Sequence, residues 1–143
     1  MAAYCTRPAG SPPAIEVIIE QVHDIPVARV RGEIDLATRL RFAEPVLNEL
    51  ASRPGELIVD LTDVGFLGSA GIVVLVQAHR HAEQNQVGLH LVASPTVLRV
   101  LDIAGVTTLF TIRGSVTEAI SHITARRPVP RRAAEEEQLV GDW

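Results

Sequence analysis

Two short blocks of alternating apolar and polar residues open the patterned part of the chain. Ile15 to Val22 (IEVIIEQV) alternates imperfectly, and Ile25 to Arg31 (IPVARVR) alternates before slipping at Val30. Both patterns predict strands, and His23-Asp24 between them predicts a tight turn and an antiparallel pair. Pro26 belongs near a strand start or an edge, since it has no N–H for a ladder. Gly32-Glu33-Ile34-Asp35 ends the second block. From Leu36 to Ser52 the spacing changes to threes and fours: Leu36, Leu40, Ala43, Leu47 and Leu50 fall on one face of a helix. Asp35 or Thr38 is placed to cap that helix, Pro45 predicts a kink, and Pro54-Gly55 stops it.

The centre of the chain is Leu57 to Gln77, LIVDLTDVGFLGSAGIVVLVQ. Leu57-Ile58-Val59 is an unbroken apolar run, rich in β-branched residues, of the kind that forms a central strand buried on both faces. The strand is expected to end near Asp60, with Thr62-Asp63-Val64-Gly65 as turn chemistry. Ile72-Val73-Val74-Leu75-Val76 has strand propensity. However, a strand has just been supplied, Ser69 offers an N-cap, and the continuation to Asn85 is polar, so the stretch is read as a buried helix. Val87 to Ala93 alternates as a strand. Ser94-Pro95 opens a helix with Val97, Leu98, Leu101 and Ala104 on its apolar face, and Gly105 closes it. Leu109 to Ile112 reads as a short strand. Ser115 with Glu118 forms a capping box for a last helix through Ala125, with Val116, Ala119, Ile120 and Ile123 inward.

The predicted order is β-β-α-β-α-β-α-β-α. It implies an α/β domain with a mixed sheet of about five strands, the later ones parallel, and helices packed mainly on one face. Pro8, Gly10, Ser11, Pro12 and Pro13 mark residues 1–13 as a disordered leader. The domain is expected over 14–125, and 126–143, with its prolines, four arginines and Glu135-Glu136-Glu137, is expected to be a flexible tail.

Composition removes several classes of function. All thirteen basic residues are arginine, which excludes a Schiff-base lysine and the lysine of a phosphate-binding loop. The single cysteine, Cys5, allows neither an internal disulfide nor a multi-cysteine zinc site. Net charge is −4 with no sizeable basic patch, so no direct binding of nucleic acid is expected. No apolar run approaches the about 18 residues that span a bilayer, and no secretory signal is visible, which points to the cytoplasm and away from the membrane. Gly68-Ser69-Ala70-Gly71 is not a nucleophile elbow, and the five histidines are scattered, so no catalytic residue, metal or cofactor is expected. A helix start at Ser69 does present free backbone donors and a positive dipole end, which makes it the natural place for binding or regulation.

Three segments, in this order, carry a resemblance: Arg31 to Asp35, Val59 to Ile72, and Val100 to Val106 through Leu109-Phe110. Over roughly residues 15–125 the chain resembles the STAS domain, and within it the bacterial anti-sigma factor antagonists. The resemblance implies a single STAS-like domain that binds an anti-sigma factor of the ATP-dependent serine kinase type and so frees a sigma factor. It also implies that the kinase phosphorylates a serine in a D-S-x-G loop and thereby switches binding off. Ser69 falls on that serine, Ala70 on the variable position and Gly71 on the glycine; Gly68 stands where the aspartate is usual. Asp35, in the family's G-E-[ILV]-D turn, and Gly68 to Gly71 are the implied partner-binding residues. The alternative is a diverged STAS module that binds a nucleotide or lipid, or serves as a signalling scaffold. A homodimer is left open.

Overall fold

The computed structural model describes residues 15–52 and 55–126. The expected leader, tail and the Pro54 helix stop lie outside them. Strand β1 (Ile15–Val22) turns back into β2 (Ile25–Ile34) through His23 and Asp24, both at positive φ (53° and 65°). That pair of left-handed residues is the turn whose twist matches a two-residue hairpin. Pro26 opposes Gln21 of β1, one residue before β2 begins to pair with the next strand at Val27, so its missing N–H interrupts no parallel ladder.

Helix α1 (Arg39–Ser52) leads to β3 (Gly55–Leu67), α2 (Ser69–Gln84), β4 (Val87–Ala93), α3 (Pro95–Ile103), a 3₁₀ turn (Thr107–Leu109), β5 (Thr111–Arg113) and α4 (Val116–Arg126). The sheet has five strands in chain order, β1-β2-β3-β4-β5, antiparallel at β1 and parallel elsewhere. Right-handed crossovers that advance steadily across a sheet place their helices on one face. Accordingly α1, α2 and α3 share one core with Ala28, Val30, Val59, Leu61 and Leu91. Helix α4 follows the last strand and covers the other face, where Ala119 and Ile123 meet Ile25, Val27, Ile58 and Val92. β3 is buried on both faces from Leu57 to Leu61, as its apolar run requires.

Four local expectations are corrected. β3 does not end near Asp60; it continues through Thr62-Asp63-Val64-Gly65 to Leu67. The turn-forming residues are absorbed as register shifts against β2, between Arg29 and Arg31 and between Gly32 and Glu33. Helix α1 starts at Arg39, and its buried face is Phe42, Ala43, Val46 and Leu50, with Leu36 70% and Leu40 59% exposed. The helix continues through Pro45. On α3 the buried residues are Val97 and Leu101; Leu98 and Ala104 point outward. Leu109 and Phe110 belong to the 3₁₀ turn and its exit, and β5 begins at Thr111. Other punctuation holds: the Ser94 hydroxyl accepts from Val97 N, Gly105 leaves α3 at φ +75°, and the Ser115 hydroxyl accepts from Glu118 N.

Candidate functional site at the start of helix α2

β2 and β3 finish side by side, with Ile34 opposite Leu67. The next residue of β3, Gly68, donates its N–H to the Ile34 carbonyl at 2.8 Å, and the chain then turns directly into α2. Gly68 is the N-cap of this helix (φ −88°, ψ 180°), not Ser69, and no side chain caps it. Its carbonyl accepts from Gly71 N and Ile72 N. Ser69 is therefore the first helical residue, which displaces the sequence-based cap by one position. The reason is local: the bond to Ile34 holds Gly68 in extended backbone, and only after it can helical dihedrals begin. The glycine in the usual aspartate position is therefore held in place, not loosened.

The Ser69 side chain is exposed and, among the described residues, its hydroxyl has no hydrogen-bond partner. Gly71 is the tightest point of the loop. A Cβ there would lie 2.5 Å from Leu67 Cδ1 and 2.7 Å from Ile34 Cγ2, both on buried side chains. Glycine lets the first turn of α2 sit directly on the ends of β2 and β3. Gly68 is less constrained: a Cβ would be 3.1 Å from the ring of Phe66, which is half-exposed.

Asp35 follows Ile34 and so stands at the same end of the sheet as Gly68. Its Oδ1 accepts from Ala37 N (2.9 Å) and Thr38 N (3.0 Å), with Thr38 Oγ1 3.1 Å away. Thr38 in return accepts from Asp35 N and donates to the Glu33 carbonyl at 2.7 Å. Asp35 is thus one half of a reciprocal turn lock that sets the entry to α1. It shapes the rim through its own turn.

Leu36 at the α1 entry, Leu40 on its first turn, Phe66 near the end of β3 and Val73 four residues into α2 are all more than half exposed. The sequence reading placed Leu36 and Leu40 in the core and so missed them. Large apolar side chains on segments that meet at one loop mark an interaction surface more than they mark chemistry. No group of three or more potential metal ligands occurs among the described residues.

The histidines divide as their surroundings dictate. His90 is buried on β4, with Nε2 2.7 Å from Glu56 and Nδ1 unpartnered, and Gly88 leaves the space that the Glu56 carboxylate fills. His79 packs edge-on against Phe110 and lies 3.4 Å from Glu83. None of them approaches the Ser69 loop in a hydrogen bond. On the opposite face of the sheet, Arg29 bonds Glu20 and, at 3.0 Å, the largely buried Asp60, whose Oδ1 accepts from Thr62 N and the Thr62 hydroxyl. The Glu20 bond, with the charges of both carboxylates, raises the Arg29 pKa above its ordinary value against the opposing effect of desolvation. The sequence reading ended the strand near Asp60 and gave that residue no partner. Its register opposite Arg29 becomes visible only once β2 and β3 are paired.

Residues 16–119 match the STAS domain, and the chain belongs to that family. It is 28% identical over 119 residues to the anti-sigma-F factor antagonist RsfB of Mycobacterium tuberculosis, covering 82% of this chain and 97% of that protein. Among solved structures it resembles an anti-sigma factor antagonist from Mycobacterium paratuberculosis, with a TM-score of 0.73 and 26% identity over 80% of this chain and 97% of the other. It also shares its fold with the anti-sigma factor antagonist SpoIIAA in its unphosphorylated form: TM-score 0.60, 19% identity, 79% of this chain and all of that one. These relatives are named as regulators, in keeping with a loop that offers contact and no catalytic group.

Proposed function

We propose that this protein is an anti-sigma factor antagonist. In this reading it works in the cytoplasm and binds an anti-sigma factor of the serine kinase type through the surface around Ser69. Binding displaces the sigma factor, and phosphorylation of Ser69 by the partner ends it. The observation that carries the reading is an exposed serine hydroxyl at the first residue of α2 with no partner among the described residues, next to a glycine that packs on the half-exposed Phe66. The relatives named as anti-sigma factor antagonists support it.

The physics of the switch follows from that setting. A phosphoserine carries about −1.5 to −2 charge near neutral pH and tolerates a helix N-terminus well. The fold itself therefore accepts the modification. A partner that packs apolar side chains onto this rim has to desolvate that charge, and an unpaired charge at a dry interface costs several kcal/mol. Ser69→Ala is expected to bind the cognate anti-sigma factor about as well as wild type. Ser69→Glu is expected to bind at least about 100-fold more weakly, corresponding to about 2.7 kcal/mol. Calorimetric titration of the purified anti-sigma factor, with affinity capture of the three variants, measures this. Equal binding by all three variants would rule out the switch, and a partner without kinase activity would rule out the self-limiting part of the reading.

A further inference from the structure

Strand β1 is an edge of the sheet, and no strand among the described residues pairs with its outer side. The hairpin fixes its phase. In a two-residue hairpin the closing pair, Val22 and Ile25, exchanges both backbone bonds, and the next pair, Gln21 and Pro26, exchanges none, which is where a proline fits. The N–H and C=O groups of Ile15, Val17 and Ile19 therefore point away from β2, along the open edge.

The two edges of the sheet differ. β5 is three residues long, and shortness is one way proteins protect an edge. β1 runs eight residues in unbroken register with β2 and holds no proline, lysine or bulge. Its two carboxylates would ordinarily guard it, but Arg31 lies 3.8 Å from Glu16 and Arg29 bonds Glu20. Ile15, Val17 and Ile19 pack against the core on the helix face, and Ile18 is 47% exposed on the other. On the helix face β1 thus reads Ile-Val-Ile in both directions about Val17. We infer that β1 pairs antiparallel with β1 of a second copy about a two-fold axis at Val17, joining the two five-stranded sheets into one.

Register selects this axis. Residues directly opposite each other point to the same face, so the axis has to pass through a residue. With the axis at Val17, Ile15 stands opposite Ile19 of the second copy and Val17 opposite itself, a column of β-branched pairs on the helix face. The backbone groups of those three residues then exchange about six main-chain hydrogen bonds. On the other face Glu16 stands opposite the exposed Ile18. An axis at Ile18 would set Glu16 against Glu20, and like charges directly opposite destabilise a pair. An axis at Ile19 would set Val17 against Gln21 and break the apolar column. Antiparallel pairing also reverses the strand direction. The two Ser69 loops, at the C-terminal ends of β2 and β3, then face opposite ends of the joined sheet, and the inference stands whatever Ser69 binds.

The test is sedimentation of the full chain over a concentration series, alongside Ile18→Glu and Val17→Pro. Ile18→Glu changes an exposed side chain and sets a like charge against Glu16 twice, once on each side of the axis. Val17→Pro removes an N–H that faces the edge and leaves the β1–β2 ladder its bonds. Wild type is expected to reach a monomer–dimer equilibrium below about 1 mM, and each variant to dimerise at least about tenfold more weakly. Ile18→Glu is expected to keep the melting temperature of the monomer. Equimolar Glu16→Cys and Ile18→Cys chains, each also Cys5→Ser, are expected to form a mixed disulfide in excess over either homodimer. A chain that stays monomeric would overturn the inference, as would a dimer indifferent to both substitutions or an absence of the mixed disulfide. Amide-exchange protection of Val17 and Ile19 that is unchanged by dilution would assign the edge to a segment of the same chain, and so overturn it too.

Discussion

Two regions of β3 are built in opposite ways. At its C-terminal end, where the chain passes to Ser69, Gly68 is held by a backbone-to-backbone bond to Ile34, Phe66 is half-exposed, and glycine sets the spacing. On the α4 face of its middle, around Asp60, the surface is charged and held by side chains: Arg29 bridges Glu20 and Asp60, and Asp60 in turn accepts from Thr62. The difference teaches what each region can do. A backbone-built loop keeps its shape whatever charge is placed on its one free side chain, so it can carry a switch. A side-chain-built network changes when any member changes, so it serves to hold a register. β3 needs both, because it carries two register shifts between Arg29 and Glu33 and still has to deliver Gly68 to the Ile34 carbonyl.

The comparison is most severely tested at Gly71. An alanine there brings a methyl group within 2.5 Å and 2.7 Å of atoms on Leu67 and Ile34, side chains that are 4% and 0% exposed and have little room to yield. Overpacking costs about 1–3 kcal/mol, and against two buried side chains the upper half of that range, about 2–3, applies, from which alanine's better helix propensity returns about 0.8–1. Gly71→Ala is therefore expected to destabilise the domain by about 1–2 kcal/mol in urea unfolding, and Gly71→Val by more. A neutral Gly71→Ala would mean that the first turn of α2 is not fixed by the strand ends, and the backbone-built description of the loop would fail.

Next in size is Arg29→Ala. Arg29 is partly exposed, so solvent screens much of the pair, but removal leaves Asp60 largely buried with only Thr62 as donor. A loss of about 1 kcal/mol is expected, between the values for exposed and buried pairs. The pH dependence follows from the raised Arg29 pKa. A cationic group with a raised folded-state pKa contributes its stability fully below the unfolded value, and loses it only as pH rises through the folded one. Both lie above the range in which the domain is handled. The difference between Arg29→Ala and wild type should therefore stay flat upward from neutral pH and shrink with added salt. A difference that fades between pH 7 and 9 would show that another group holds Asp60.

Most of the fold was legible in the sequence, and the reason is punctuation. Ser94-Pro95, Gly105 and Ser115 with Glu118 stand at element boundaries and use local chemistry that tertiary context did not override. The unbroken apolar run made a central strand readable, and the alternation of elements made a mixed sheet with parallel later strands readable. What escaped depended on partners distant in sequence. Thr62 to Gly65 has turn chemistry and becomes strand because β2 supplies a bulged ladder for it. Leu36 and Leu40 have helix-face spacing, yet the Asp35–Thr38 lock delays α1 to Arg39 and turns them outward. Ile72 to Val76 went the other way, helical in spite of its β-branching because it packs on the core that α1 and α3 share. At the start of α2, the cap was misplaced by one position, at Ser69 and not Gly68. No local signal announces that Gly68 N will reach the Ile34 carbonyl.

The smallest expected effect separates the two regions most finely. Gly68→Asp places an aspartate before Ser69, as in the D-S-x-G loop that the STAS resemblance implies. The backbone at Gly68 is in an ordinary extended conformation, φ −88°, so an L-residue is not strained there. The new Cβ would lie 3.1 Å from Phe66 Cε2 and 3.5 Å from the Ile34 carbonyl, and Phe66 is 51% exposed and free to rotate a few tenths of an ångström away. An N-cap aspartate accepts from free N–H groups of the first turn and exceeds glycine by only a few tenths of a kcal/mol. Part of that gain is spent on moving Phe66, so a net stabilisation below about 0.5 kcal/mol is expected. Under the proposed function, the useful readout is the rate at which a partner kinase labels Ser69 in Gly68→Asp and in wild type. A large rise with unchanged stability would mean that the aspartate is read by the kinase as a charge. Equal rates would mean that the partner recognises the apolar rim and the backbone of the loop, and that Gly68 suffices because Ile34 already holds it in place.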